Sequence, residues 1–198
     1  ADPTIFLGLA GAVIPGGMKK VISTIIRKGI VDVIVTTGSN AYHDLVEALG
    51  YFHYKGSPYA DDIELFRHGI DRIYDTFASE DQFRIVDEKV TALADQTRQE
   101  NSEASTMSSR RLIFELGRFI DEEGEVEEKE ASWLWNAWRY RVPVFVPALC
   151  DSSIGLALTK HHIISLQKKT SPLVIDQIKD NYEMYEIKKT SKKTGVIY

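Results

Sequence analysis

The stretch "PALCDSSIG" (147–155) follows the apolar run "VPVFV" (142–146), and together these two segments decide the fold. A short apolar run bounded by turn residues is typical of a strand that is buried on both faces of a parallel sheet. An acid, two hydroxyls and a glycine directly after such a strand are typical of the loops that bind ligands beyond the carboxyl ends of parallel strands. The two segments therefore predict an α/β fold with a binding site at that edge of the sheet.

Three more segments have the pattern of strands, namely "TIFLGLA" (4–10), "IVDVIVTT" (30–37) and "TGVIY" (194–198). Segments with apolar residues at helical spacing separate them, for example between 18 and 26. Strands that alternate with helices predict a doubly wound parallel sheet with helices on both faces. The chain has 198 residues and is 43% hydrophobic, which is enough for one sizeable core. We therefore expect a single domain over residues 1–198.

Local signals predict where several helices begin. Asn40 is a good N-cap residue for a helix that ends near Gly50. Ser171 and Pro172 have the pattern of N-cap and first helical residue for the last helix. All three tryptophans lie within residues 133–138, at spacings that cannot share one helix face. We expect that helix to be covered by protein on more than one side or to pack on another subunit.

Charge and composition exclude several classes of function. The formal net charge of -5 argues against a nucleic-acid-binding surface. No segment approaches the roughly 18 apolar residues of a membrane helix, and no secretion signal is present. The single cysteine, Cys150, excludes an intramolecular disulfide and fits the reducing cytosol. We expect its thiol to be buried and inert, because the neighbouring Asp151 disfavours a thiolate. The histidines have no metal-ligand spacing, so we predict no metal site.

Three of the predicted strands end in polar or glycine-rich segments. "GLAGAVIPGG" (8–17) suits either a phosphate-binding loop or a structural glycine turn, and it lacks the GxGxxG pattern. In "TTGSNAYHD" (36–44), His43 is either a catalytic residue or an ordinary helix histidine. Asp151 can hold a ribose hydroxyl or cap a helix. Because all three segments are expected at one edge of the sheet, together they favour a nucleotide site.

Four segments in this order resemble the deoxyhypusine synthase family, particularly its archaeal and bacterial-type members: "TIFLG", "DVIVTTGSNAYHDLVEALG", "HGIDRIYD" and "VPVFVPALCDSSIG". The resemblance implies a Rossmann-like NAD-binding fold and a cytoplasmic homotetramer with active sites between subunits. Members of the family oxidise spermidine with NAD and carry the aminobutyl group as an imine on an enzyme lysine. They then transfer it to a lysine of the hypusine-containing translation factor.

The resemblance also assigns the cofactor contacts. Asp151 falls on the carboxylate that holds NAD in the family, and His43 lies where a proton acceptor beside the cofactor is expected. The remaining predicted NAD contacts form two loops, the first with Gly11, Ala12, Val13, Ile14 and Pro15, and the second with Thr37, Gly38 and Ser39.

Three positions implied to bind the polyamine depart from the animal and fungal branch of the family. Tyr42 and His43 stand where that branch has two glutamates, and Leu156 stands where it has an aspartate. A diammonium substrate favours carboxylates near its charged ends, so the identity of the polyamine stays open. A homospermidine synthase-like enzyme is an alternative for the same reason.

The resemblance covers only the middle of the family's enzyme, so the chain is expected to be cut at both ends. The family's N-terminal helical extension does not precede Thr4, and the Trp-Gly-Lys motif with the imine-forming lysine does not follow Tyr198. "TKHHI" (159–163) is similar to the family's Lys-His-His segment but lacks its preceding glycines, so Lys160 is not predicted to be the nucleophile. We expect the chain alone to be inactive in transfer and to oxidise the amine poorly at most. The alternative is a catalytically silent paralogue or partial subunit that assembles with a complete partner.

Overall fold

A computed structural model describes residues 3–100 and 106–198 of the chain. The described strands are β1 (Thr4–Leu9), β2 (Val33–Thr36), β3 (Tyr54–Lys55), β4 (Ile70–Ile73), β5 (Thr76–Ser79), β6 (Thr106–Met107), β7 (Val144–Phe145), β8 (Val174–Ile175) and β9 (Thr194–Ile197). The described helices are α1 (Lys19–Arg27), α2 (Gly38–Ala48), α3 (Asp62–Arg67), α4 (Glu80–Glu100), α5 (Ser109–Glu123), α6 (Val126–Lys129), α7 (Trp133–Arg139), α8 (Ser153–Gln167) and α9 (Gln177–Thr190).

The main sheet has four parallel strands in the order β7-β2-β1-β9. Phe6 of β1 pairs with Val33 of β2, and Thr4 pairs with Thr194 of β9 on the other side. The chain therefore moves outward from β1 to β2 to β7 and then returns to the opposite side of β1. This reversal of strand order is the topology of a Rossmann-like fold. The predicted strands near 4–9, 30–36, 142–147 and 194–198 are all confirmed as members of one parallel sheet.

The core lies between this sheet and its helices, because the central strands are apolar on both faces. Ile34 of β2 and Phe145 of β7 are both completely buried. Helix α5 packs on α7, which packs on α1, whereas α4 packs on α8, which packs on α2. None of the helices in the described ranges is both long enough and apolar enough to span a membrane.

A second, antiparallel sheet with the order β3-β5-β4 follows α2 and contains a hairpin that the sequence did not predict. Tyr74, in the turn between β4 and β5, has a left-handed φ of 57°. A residue with left-handed φ in a hairpin turn is usually glycine or asparagine. Because this turn has neither, the sequence did not indicate a hairpin here. A small parallel pair joins β6 to β8.

The tryptophan helix α7 is covered on more than one side within this chain, as expected. Trp133 is fully buried, and its ring nitrogen donates to the carbonyl oxygen of Asn40 across 3.4 Å. Trp135 points elsewhere, with its ring nitrogen 2.8 Å from Oδ1 of Asp121 in α5.

Two predicted helix starts are wrong. Asn40 is a buried residue inside α2, which already begins at Gly38 after Thr37. The segment after Ser171 and Pro172 forms β8, and the last helix begins only at Gln177. Asp176 caps that helix because its Oδ1 accepts hydrogen bonds from the backbone nitrogens of the second and third helical residues.

The prediction of a buried thiol is also wrong. Cys150 is exposed, because it lies at the surface turn between β7 and α8 and not inside the strand that precedes it.

Candidate functional site

The loops that follow β1, β2 and β7 meet at one edge of the main sheet, as predicted. The first two are joined directly, since Oγ1 of Thr37 donates a hydrogen bond of 2.7 Å to the carbonyl oxygen of Gly11. The second and third loops are so close that a Cβ atom at Gly38 would overlap the side chain of Ser152. These contacts bring the predicted residues 11–15, 37–39 and 151 into one neighbourhood.

The glycine-rich loop after β1 depends on backbone conformations that only glycine adopts easily. Gly11 has φ of 66° and Gly17 has φ of 92°. Between them, residues 14–18 form a single π-type turn that leads into α1. Asn40 holds this loop, because its Oδ1 accepts from the backbone nitrogen of Ile14 at 3.3 Å and its Nδ2 donates to Oγ1 of Thr36 at 3.1 Å. Asn40 therefore fixes the loop that the sequence assigned to the cofactor.

The start of α8 explains part of the composition of the loop after β7, which has an acid, two hydroxyls and a glycine directly after a buried strand. Ser152 caps α8, since its Oγ accepts from the backbone nitrogen of Gly155 at 3.4 Å. A Cβ atom at Gly155 would lie 2.6 Å from the backbone of Cys150, so glycine is required for the tight turn. The alternative that Asp151 caps this helix is wrong. Its side chain is exposed, and it has no hydrogen-bond partner within residues 3–100 and 106–198.

His43 lies in the second turn of α2 and is 7% exposed. Its Nδ1 lies 2.9 Å from Nε2 of His53, and Nδ1 of His53 lies 2.8 Å from Oε1 of Glu47. Burial, together with the neighbouring His53, lowers the pKa of His43 to about 4. His43 is therefore a neutral imidazole at pH 7.

Glu47 connects this histidine pair to Lys19. Oε2 of Glu47 lies 2.6 Å from Nζ of Lys19, which also lies 2.9 Å from Oε2 of Glu128. Burial alone would lower the pKa of Lys19, but the hydrogen bonds to the two glutamates outweigh it and raise the pKa. Burial alone would raise the pKa of Glu47, but the hydrogen bonds from His53 and Lys19 lower it. The pair is thus fully charged at neutral pH.

The sequence did not predict His53 or Glu47 as functional residues. His53 has no metal-ligand spacing to another histidine, and its place beside His43 is set by the loop after α2 and not by a fixed residue spacing. Glu47 follows His43 by one helical turn, which places both side chains on the same face of α2, and this spacing was the available signal.

Tyr42 is 1% exposed, and its hydroxyl lies 2.7 Å from Oδ1 of Asp87 in α4. Burial and the hydrogen bond to Asp87 raise its pKa, so the phenol stays protonated. Burial and, to a smaller extent, a hydrogen bond with Glu80 raise the pKa of Asp71 to about 6. Carboxylates therefore lie near position 42, although residue 42 itself is not acidic.

Two predicted residues lie on α8. Leu156 is 66% exposed, so it offers an apolar side chain to any molecule that binds there. Nζ of Lys160 lies 3.5 Å from Glu88, with half of the lysine side chain exposed. No group of three or more histidine, cysteine or carboxylate side chains that could hold a metal ion occurs among the described residues.

Asp44, the residue after His43, is completely buried and supports the start of α7. Oδ2 accepts hydrogen bonds from Oγ of Ser132 at 2.6 Å and from the backbone nitrogen of Leu134 at 2.9 Å. Burial raises the pKa of Asp44 to about 6, although these hydrogen bonds act to lower it. Asp44 therefore fixes α2, and with it His43, against a neighbouring helix.

The strand order and the polar loops at the carboxyl ends of β1, β2 and β7 define a Rossmann-like α/β protein with its candidate site at that edge. The chain belongs to the deoxyhypusine synthase family, whose model matches residues 1–198.

Known proteins support the assignment to the family. The chain is 45% identical over 197 residues to "Probable deoxyhypusine synthase 2" of Methanosarcina acetivorans, covering 100% of this chain and 53% of that protein. It is 38% identical over 193 residues to a "Deoxyhypusine synthase-like protein" of Chlorobaculum tepidum, covering 97% of this chain and 52% of that protein. The chain thus spans about half the length of the curated relatives it matches.

The crystal structure of "a putative deoxyhypusine synthase from Entamoeba histolytica" has the same fold. It superimposes with a TM-score of 0.71 at 18% identity, over 98% of this chain and 56% of the other.

Proposed function

We propose that residues 1–198 form the NAD-binding domain of a deoxyhypusine synthase-like transferase. The observation that carries the proposal is the meeting of three loops at the carboxyl edge of a Rossmann-like sheet. One loop is glycine-rich, one carries hydroxyls, and one carries the exposed Asp151 carboxylate with no other partner among the described residues. An exposed carboxylate at such an edge is suited to the hydroxyls of a ribose.

In this proposal the backbone of residues 11–15 holds the phosphates of NAD. Thr37, Gly38 and Ser39 form the adjoining wall of the cofactor site. When bound, NAD supplies a hydride acceptor. The chain's own part is to place the amine carbon against that acceptor and to remove a proton. His43 is suited to remove the proton, because it is neutral and its ring is held by a hydrogen bond.

The substrate proposed for this site is spermidine or a related polyamine, and the acceptor is a lysine of the hypusine-containing translation factor. The carboxylates of Asp87 and Glu80, which both act on Tyr42, support an amine substrate, since ammonium groups favour such partners. Tyr42, His43 and Leu156 remain the predicted substrate contacts. The proposed assembly is a homotetramer in the cytoplasm, as in the rest of the family.

Calorimetric titration of the protein with NAD tests the proposal. Asp151→Ala is expected to weaken NAD binding by about 1–3 kcal/mol, the usual scale for losing a hydrogen bond to a charged group. The matched control is Asp95→Ala, which removes an equal charge from α4 and is expected to leave the affinity unchanged. Equal affinity in Asp151→Ala and the unsubstituted protein would remove Asp151 from the cofactor site. NAD binding without oxidation of any polyamine would support the alternative of a silent partial subunit.

A further inference from the structure

A hydrogen-bonded series of side chains runs from His43 through His53 and Glu47 to Lys19, with donor–acceptor distances of 2.9, 2.8 and 2.6 Å in that order. His43 and Lys19 are buried, and the side chains of Glu47 and His53 are only 17% and 5% exposed. The proposed function uses only His43, so the other three residues need a separate explanation.

The direction of the hydrogen bonds follows from the charge of Glu47. Its carboxylate can only accept, so the proton of a neutral His53 must lie on Nδ1. The bare Nε2 of His53 then accepts from Nδ1 of His43. His43 is left with an unprotonated Nε2. With His53 neutral, the series therefore determines which nitrogen of His43 acts as the proton acceptor.

The same series gives the captured proton a place to go. A new N–H bond forms at Nε2 of His43, the N–H bond at Nδ1 breaks, and that proton forms a bond with Nε2 of His53. His43 is neutral again after this transfer, and the positive charge rests on His53 against the carboxylate of Glu47. Burial of His43, whose pKa lies at about 4, disfavours a lasting charge on its own ring.

A route to solvent exists at the far end of the series. His53, Glu47 and Lys19 line a surface cavity of about 540 Å³, whose other walls include Lys55, Asp75 and residues 14–17 of the glycine-rich loop. The charged or titratable side chains that contact His53 or line this cavity are His43 and Glu47 in α2, Lys19 and Lys20 in the first turn of α1, Tyr54 and Lys55 in β3, and Asp75 in the turn before β5. A proton on His53 can leave through this cavity.

We propose that His53 and Glu47 are positioning residues that present Nε2 of His43 as the proton acceptor and pass the captured proton towards the cavity. The inference rests on the proposed function, because it needs His43 to act as the base. It goes further by assigning a role to two residues that do not touch the substrate.

The first test is spectroscopic and needs no turnover. Long-range ¹H–¹⁵N spectra of the protein at pH 7 are interpretable, because the chain has only 5 histidines. We expect both His43 and His53 to carry a proton on Nδ1, with Nε2 of His43 unprotonated. Glu47→Gln is expected to reduce the share of His53 in that form, since the amide can also donate. His43 protonated on Nε2 in the unsubstituted protein would overturn the relay.

The second test is kinetic and follows the reduction of NAD by spermidine without an acceptor protein. His53→Gln is expected to slow hydride transfer by about 10- to 100-fold, the range for losing a partner that orients a histidine. Its affinity for NAD, measured by calorimetry, is expected to stay unchanged. His43→Gln is expected to slow the same step by roughly 100-fold or more. The matched control is His68→Gln, at an exposed histidine after α3, which is expected to retain the rate.

The outcomes separate the relay from the proposed function. If His53→Gln is as fast as His68→Gln while His43→Gln is slow, the relay is overturned and the proposed role of His43 stands. If the unsubstituted protein binds NAD but reduces none with any polyamine, the alternative of a silent partial subunit is supported and the relay is overturned, whichever ring nitrogens carry the protons.

Discussion

Gly38 lies against Ser152 so closely that a Cβ atom at residue 38 would overlap both the Cβ and the Oγ atoms of the serine. The contact joins the first turn of α2 to the cap of α8, so it sets the spacing between two of the three loops at the candidate site. Glycine is a poor helix former, costing about 1 kcal/mol relative to alanine. Its presence in this turn is explained by the contact and not by the helix.

We expect Gly38→Ala to destabilise the protein by about 1–3 kcal/mol, the scale of overpacking, and to weaken NAD binding. Urea denaturation and calorimetry measure the two effects. The double variant Gly38→Ala/Ser152→Gly is expected to regain part of the stability, because it removes the overlapping side chain. Gly16→Ala is the control, since no atom lies within 4 Å of its added Cβ. If Gly38→Ala alone were as stable as Gly16→Ala, the steric explanation would be contradicted.

Asp44→Ala should be among the most destabilising substitutions in α2. It leaves the buried Ser132 hydroxyl and the backbone nitrogens of Trp133 and Leu134 without their acceptor. Each buried unsatisfied donor costs about 1–3 kcal/mol, so we expect a loss of roughly 3 kcal/mol or more. Urea denaturation checks the value, with the exposed Asp81→Ala as control. A loss as small as that of the control would show that water replaces the carboxylate.

The adjacent residues His43 and Asp44 are expected to change stability with pH in opposite directions. The pKa of His43 is lowered from 6.5 to about 4 in the folded state, so its contribution is present above pH 6.5 and is lost as the pH falls towards 4. The pKa of Asp44 is raised from 3.8 to about 6, so its contribution is present below pH 3.8 and is lost as the pH rises through 6.

Single substitutions separate these two contributions. In His43→Gln the free energy of unfolding should fall more steeply, or rise less, from pH 4 to 6 than in the unsubstituted protein. In Asp44→Asn it should rise more steeply over the same interval. Urea denaturation at several pH values measures both slopes. If both substitutions changed the pH dependence of the free energy of unfolding in the same direction, the opposite pKa shifts assigned to His43 and Asp44 would be contradicted.

We expect no borohydride-stable adduct between this chain and the aminobutyl group of spermidine in the presence of NAD. An imine-forming lysine must be unprotonated. Lys19 is held as an ammonium between Glu47 and Glu128, and Lys160 is half exposed beside Glu88. Intact mass spectrometry after reduction measures the outcome, with the same mixture lacking NAD as control. An aminobutyl mass on Lys160 would contradict the prediction.

The sequence predicted the main sheet well because each of its strands is an apolar segment with a turn signal at its end. The edge on which residues 11, 37 and 151 meet followed from the direction of parallel strands alone. The same reasoning failed at Asn40, whose side chain is used to hold residue 14 across the sheet edge and not to cap its own helix. A cap and a long-range contact have the same residue preference, so the sequence could not distinguish them.

The histidine pair was missed for a related reason. His53 reaches His43 because residues 49–53 turn back over α2, and no periodic pattern reports such a turn. Asp44 was likewise not singled out, since an acid in the first half of a helix is usually exposed. Its burial depends on the start of α7, which is distant in sequence. Contacts of this kind are set by the assembled fold.

The pairing of Thr4 with Thr194 has a consequence for how the chain folds. Strand β1 lies inside the sheet, yet its partner on one side, β9, follows it in the sequence only after β2 to β8. Pairing between such distant segments is slow, because the entropy of closing the intervening loop is lost before the contacts form. One edge of β1 therefore stays unpaired until residues 194–197 have been made. Newly made chains carry an unpaired apolar strand during that interval, and this makes them candidates for chaperone binding before they leave the ribosome.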